Sequence, residues 1–184
     1  MTTLMTETPA TWQVDPVHSH VEFSVRHLMI ATVRGRFAEL AATLTGDDGD
    51  VEHAAIDLAI PAASVDTREP QRDAHLRSAD FFDADHHPHI RFHSTRISRT
   101  RDDVFAVEGA LTIRGVTRPI TLTVHRGGRA RDPWGAERVA YSATTTISRK
   151  DFGLNWNQVL ETGGVLVGDE VTISIDLELV RAAS

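Results

Sequence analysis

The side chains with the most chemical potential crowd into one short stretch, Arg72 to Asp83 (RDAHLRSADFFD), which joins acids, a histidine and arginines to Leu76 and the Phe81-Phe82 pair. His75, flanked in sequence by Asp73 and Asp80, is where an imidazole and a carboxyl could serve as acid and base, since desolvation tunes such groups toward neutral pH. The stretch is also the only segment that reads as helix in a chain otherwise alternating with period two. A charged helical plug with bulky apolar groups is of little use to a plain β-domain unless something must be closed, lined or gripped. It therefore points to a ligand site.

The other reactive residues are histidines, ten in all. His18 and His20 share a predicted strand face, as do His89 and His93, and Asp85-His86-His87-Pro88-His89 is dense. No His-Glu-x-x-His helix accompanies them, and the dense cluster falls where a loop enters a strand, so it reads as solvated side chains and no metal is predicted. Nor is there a Gly-x-Ser-x-Gly elbow, a phosphate-binding glycine loop or a convincing triad. Isolated glycines such as Gly163-Gly164 read as turns. The absence of cysteine removes disulfides, thiol catalysis and cysteine-bound zinc.

The elements that must position these groups are strands. Val21, Phe23 and Val25 alternate with Glu22, Ser24 and Arg26; Ile56, Leu58 and Ile60 repeat the pattern, as do Ile90 and Phe92. Phe105 to Ile113, Ile120 to Val124, Val139 to Ile147 and Val171 to Leu179 form further apolar faces. With a strand around Arg36 to Leu44, about eight strands result. Long alternating strands joined by tight turns imply an antiparallel sheet, and about eight of them curl into a barrel that leaves no edge. A two-sheet sandwich is the competing arrangement. The helical insert is expected to begin near Asp66 or Thr67, acting as cap, with Glu69 and Pro70 in its first turn. Gly127 to Gly135 reads as an exposed loop, GDDGD (46–50) as a turn, and residues 1–10 as a frayed tail.

At 184 residues the chain is one domain, placed at 11–182, with room for a large core. Its 19 basic and 26 acidic side chains leave a net charge of −7, which argues against nucleic acid and anionic membrane surfaces as general partners. No signal-peptide pattern opens it, and no apolar run approaches the ~20 residues of a membrane span, so a soluble, cytoplasmic protein without stable membrane insertion is expected. Small residues on or near the apolar faces (Ala38, Ala42, Ala59, Gly109, Ala143) mix with large ones (Phe23, Phe37, Phe92, Trp156). Such a lining can leave an elongated cavity or interdigitate into a solid core.

Several blocks are more specific: HSHVEFSVRHLM with VRGRF (18–37), RDAHLRSADFFD (72–83), GALTIRGVTRPITL (109–122), ISRKDFGLNWN (147–157) and VGDEVTISIDLEL (167–179). In these blocks, spread over nearly its whole length, the chain resembles the YceI-like family, lipocalin-like barrels associated with polyisoprenoid and other long-chain lipids. The resemblance implies a lipid-filled antiparallel barrel, a covering helical segment and a homodimer. Many relatives are secreted or periplasmic behind a signal peptide, a pattern this sequence does not show.

A ligand with a long apolar tail and a small polar head follows from that resemblance. The tail contacts expected are Phe23, Val25, Leu28, Met29, Phe37, Leu76, Phe81, Phe82, Phe92, Leu111, Phe152, Leu154 and Trp156, although each could equally be ordinary core. Arg26, His27, His75, Arg77 and Arg149 are the head-group candidates, because arginine grips phosphate or carboxylate in a bidentate manner and histidine does so in a pH-dependent one. Each also has a structural role open to it: Arg77 can pair with Asp73, and Arg149 with Asp151 or another acid, since buried ions usually occur in pairs. The leading reading is a non-catalytic carrier, store or sensor of lipid with no cofactor beyond the lipid itself. An enzyme (hydrolase or isomerase) acting on an apolar substrate in the same cavity, and a solid barrel serving as an interaction module, are the alternatives.

Overall fold

The computed structural model describes residues 10–47, 49–161 and 163–182. Within them lie eleven strands: β1 (Thr11–Val14), β2 (His20–His27), β3 (Ala31–Phe37), β4 (Ala41–Thr45), β5 (Ala55–Pro61), β6 (Val65–Asp66), β7 (His89–Arg101), β8 (Val104–Ile113), β9 (Val116–Arg131), β10 (Glu137–Ser148) and β11 (Val167–Arg181). One α-helix, α1 (Pro70–Arg77), interrupts them between β6 and β7.

Every pairing between these strands is antiparallel, and the sheet closes on itself because β11 serves two partners on one side. Its first part pairs with β2, where His27 faces Val167 and Val21 faces Ile175; its end pairs with β1, where Val14 faces Leu179 and Trp12 faces Arg181. Strands β1 and β2 are thus two pieces of one stave, with Asp15 to Ser19 bowed out between them. In the same way β3 and β4 follow β2 and β1, and β5 and β6 follow β4 and β3. Counting each broken pair once gives a closed eight-stranded antiparallel barrel, as expected from the alternation.

The apolar faces pack inward: Phe105, Val107, Leu111 and Ile113 of β8 are buried, as are Val139, Tyr141, Ala143 and Ile147 of β10. Gly109 of the same β8 face is needed for shape. A β-carbon there would lie 2.3 Å from Cζ of Phe92, so the ring occupies the space that the missing side chain leaves. Ala42 and Ala143 likewise face inward, whereas Ala38 is exposed and Ala59 sits between the inward Leu58 and Ile60.

Three boundaries differ from expectation. The strand around Arg36 to Leu44 breaks after Phe37, because the chain there changes partners from β2 to β1. The segment Gly127 to Gly135 is mostly strand: β9 runs to Arg131, and a register shift between Val139 and Tyr141 absorbs the glycines, leaving a turn at 132–136. The helix cap is Glu69, whose carboxylate accepts from the backbone N–H groups of Gln71 and Arg72, while Pro70 takes the first helical position, where no N–H is needed. Asp66 is held in β6 by Arg36 and the Arg68 N–H, and Thr67 is bonded to Asp73. Neither is free to cap. Of the expected N-terminal tail, residues 1–9 lie outside the described residues; the carbonyl of Ala10 already accepts from the Gly46 N–H.

Candidate functional site

The barrel is not solid. A cavity of about 200 Å³ runs along its interior, from Arg149, Phe152 and Leu154 at one end to Leu44, Val51 and Leu179 toward the other. Its lining is apolar except for Glu22, Thr43, Tyr141, Thr145 and Arg149. The volume is below the ~300 Å³ at which pockets for compact drug-sized molecules begin, and the elongated shape suits a slender chain better than a ring system.

Of the residues expected against a tail, Phe23, Val25, Phe37, Leu76, Phe81, Phe82, Phe92, Leu111, Phe152 and Leu154 line this cavity. Trp156 stands just behind it, tilted against Phe81 with ring centroids 5.4 Å apart. Leu28 and Met29 are elsewhere. They form the turn between β2 and β3, with backbones in the left-handed region. The strand faces of β9 to β11 complete the wall with Leu122, Ile147, Val171, Ile173 and Ile175, among others. Their alternation was visible in the sequence, but nothing in it separated wall from core.

One end of the barrel is covered by two segments. The first is α1 with the residues after it: Leu76, Phe81 and Phe82 turn inward, and Phe82 meets Phe37 edge-on at 5.8 Å. The second is the loop from Gly153 to Leu166, between β10 and β11. The two meet where Trp156 packs edge-on against His75, with centroids 4.6 Å apart, and tilted against Phe81.

The polar residues near this end serve mainly as fasteners. Arg149 is buried, and its guanidinium donates to the carbonyls of Leu154, Trp156, Val167 and Gly168, with Asp169 Oδ1 3.4 Å away. Burial pushes its pKa down, and the Asp169 carboxylate partly offsets that. Both flanks of the covering loop are therefore tied to one side chain. Its acid is Asp169 rather than Asp151. Arg77 does not pair with Asp73. It donates to the Ala63 and Val65 carbonyls at 2.8 and 2.9 Å and fixes α1 to the β5–β6 corner. Arg26 donates to Met29 O and Thr32 Oγ1. His27 is half-buried at the end of β2.

His75 reaches Asp80 at 2.8 Å, but Asp73 faces away, accepting from the Thr67 N–H at 2.9 Å and from the Thr67 hydroxyl. The carboxyls that the sequence places around His75 are therefore not gathered into one acid–base site. In the histidine-rich loop, His86 bonds Asp83 at 2.8 Å, and that carboxylate raises the imidazole pKa. His93 bonds Asp57 across the β5–β7 pair.

The opposite end holds a cluster that sequence reasoning missed. Arg138 bonds Asp15 at 2.6 Å, Asp132 at 2.9 Å and Glu178, and His18 adds a bond to Asp15. The guanidinium of Arg138, then His18, holds the Asp15 carboxyl well below the usual range, and Arg138 also lowers that of Asp132. Arg138 itself is held above the ordinary arginine value, first by Asp15, then by Glu178 and Asp132. Asp15, His18 and Glu178 lie close enough to share a cation, but Arg138 already occupies both carboxylates. More than a hundred residues separate Asp15 from Arg138, so no local signal could have revealed the pairing.

A closed eight-stranded antiparallel barrel with an apolar bore and a helical cover defines the class of protein. The chain belongs to the YceI-like domain family, whose model matches residues 12–179. It is 35% identical over 165 residues to a UPF0312 protein of Staphylococcus aureus strain MSSA476, covering 89% of this chain and 94% of that one. Among solved structures, a Campylobacter jejuni YceI protein that crystallizes with large solvent channels is 28% identical with a TM-score of 0.71, over 86% of this chain and 90% of that one. The fold is shared at lower identity by Burkholderia cenocepacia BcnA (23%, TM-score 0.79, 90% and 98% covered). It is shared as well by a polyisoprenoid binding domain from Saccharophagus degradans (16%, TM-score 0.68, 93% and 98% covered).

Proposed function

We propose that the chain binds a polyisoprenoid or another long-chain amphipathic lipid in the barrel and acts as a non-catalytic carrier, store or sensor. The observation that carries this reading is the continuous apolar bore, closed at one end by a cover assembled from two separate segments. Burying a tail there contributes roughly 0.8 kcal/mol per methylene, so a chain of moderate length gains most of a useful affinity without any polar contact. The solved relative described as a polyisoprenoid binding domain supports the same ligand class. With Arg26, Arg77 and Arg149 bonded to backbone carbonyls, a polar head is best placed at the mouth, near His75 and Asp80.

Solvent extraction of the purified protein, followed by mass spectrometry against an empty-host control, tests the proposal. A stoichiometric isoprenoid or acyl species is expected. A blank that persists after long-chain lipids are offered would refute it. A His75→Ala variant that still loads lipid, with no turnover in either form, separates carrier from enzyme. Cytoplasmic location and a homodimer complete the proposal and are checked by fractionation and sedimentation.

A further inference from the structure

We propose that the covered end of the barrel is a docking tip for an electrically neutral, zwitterionic bilayer surface; this inference rests on the lipid-carrier reading. Met29, Ile30 and Val159 are 56, 80 and 79% exposed, unusual for large apolar side chains. They belong to one hydrogen-bonded unit. The Leu28 N–H donates to Leu166 O, the Leu166 N–H donates to Gln158 O, and Val159 pairs with Val165. The turn is not slack. Leu28 and Met29 hold φ values of 52 and 63°, a left-handed conformation that is unfavourable for non-glycine residues. It is fixed by the Ile30 N–H on His27 O and by the Arg26 guanidinium on Met29 O. The structure thus bears a backbone cost to present Met29 and Ile30 to the outside.

Charge identifies the partner. No ionisable side chain occurs from Leu28 to Val33, and Glu161 is the only one between Gly153 and Gly168, in a chain that is 24% charged. The cation that touches the tip is Arg26, turned onto the Met29 and Thr32 oxygens; a single arginine on a protein of net charge −7 gains little from anionic lipid, and the tip suits a zwitterionic surface. The same loop also forms the cavity cover: Leu154 lines the bore, and Trp156 seals it against His75 and Phe81. Docking at this tip would bring the seam of the cover to the membrane that supplies or receives the lipid.

The test is flotation of the full-length protein with phosphatidylcholine vesicles, alongside the rate at which dansyl-tagged farnesol passes from those vesicles into the barrel. The variant M29S/I30S/V159S should lose flotation and slow transfer by at least about tenfold, since several buried methylenes at ~0.8 kcal/mol each are removed. Its loading with farnesol delivered from ethanol should match the wild type. The control V17S/W134S alters exposed apolar residues at the opposite end and should behave as wild type. I30W, a gain-of-reporter variant, should shift its fluorescence to the blue on vesicles. Unchanged flotation in the triple variant, or equal loss in the control, overturns the proposal. So does a dimer that dissociates only in the triple variant while no form floats, which would assign the patch to a second copy. If only the wild type and the control float but no form takes up farnesol from either source, docking stands and the carrier reading falls.

Discussion

The two ends of the barrel are held shut by opposite means. At the covered end, single side chains hold polar groups of another segment: buried Arg149 ties both flanks of the 153–166 loop, exposed Arg77 ties α1 to the β5–β6 corner, and buried Asp73 ties Thr67 to the helix. At the other end, half-buried and exposed ions hold one another: Arg138 with Asp15, Asp132 and Glu178, and Glu137 with Arg129, Arg131 and Arg181. Buried Arg149 and Asp73 are shielded from salt, whereas the partly solvated ion pairs at the other end are reached by it. On the proposed carrier function, the barrel must open somewhere. An end built from a loop and a short helix can move as a unit without unzipping the strand ladder. The end laced by ion pairs holds β1, β10 and β11 together and keeps the barrel closed.

The sharpest way to break this contrast is Arg149→Leu. It removes the partner of four carbonyls at a buried position, and each acceptor left unsatisfied costs about 1–3 kcal/mol, reduced where water can enter. A total loss of about 3–5 kcal/mol is expected from chemical denaturation, with little dependence on salt. Faster release of bound lipid should accompany it, because both ends of the cover come loose. Arg149→Lys keeps the charge but lacks the planar fork, so it should recover only part of the loss. An Arg149→Leu variant of unchanged stability would mean that the loop is held by its apolar contacts instead.

Asp73→Ala comes next. It leaves the N–H and hydroxyl of Thr67 without their acceptor at a buried site, for a cost of about 1–3 kcal/mol. The effect should be local. Amide exchange is expected to rise through α1 and the residues that follow, while β8 and β9 keep their protection. Uniform loss of protection would show that the helix is part of the barrel's cooperative unit rather than a separable cover.

How much of this was legible in the sequence follows from distance along the chain. The apolar faces of β8, β10 and β11 and the Phe81-Phe82 pair are local patterns, and they led to the barrel and to most of the cavity wall. The breaks within composite staves were not legible, because Phe37 ends β3 only where the chain exchanges one strand partner for another. Helix capping was misread by a few residues: Asp66 and Thr67 are good caps by type, but both are engaged by tertiary partners, which leaves Glu69 to do it. Leu28 and Met29 are expected against the ligand tail by type, and only their left-handed backbone shows that the chain turns there. The resemblance to a family supplied the ligand class proposed above. It could not tell that Arg149 uses its donors on the protein itself.

The smallest effect, and the one that best separates the two ends, is Arg138→Ala measured against pH. Asp15 and Asp132 have carboxyl pKa values lowered in the folded protein, chiefly by Arg138. Groups depressed in this way contribute stability that is fully present above the unfolded carboxylate value, near pH 4, and is lost as pH falls through the folded values. Removing Arg138 returns both carboxyls toward their ordinary range and takes away the largest part of that contribution, leaving what His18 and backbone N–H groups supply. The melting temperatures of wild type and variant should therefore differ most at pH 7 and converge as the pH drops below about 4. Added salt at pH 7 should narrow the gap as well, since the side chains of Arg138 and Glu178 are 23 and 30% exposed. Arg149→Leu should show neither convergence. If the two variants instead respond alike to pH and salt, the ends of the barrel are fastened by the same physics, and the covered end has no special claim to be the one that opens.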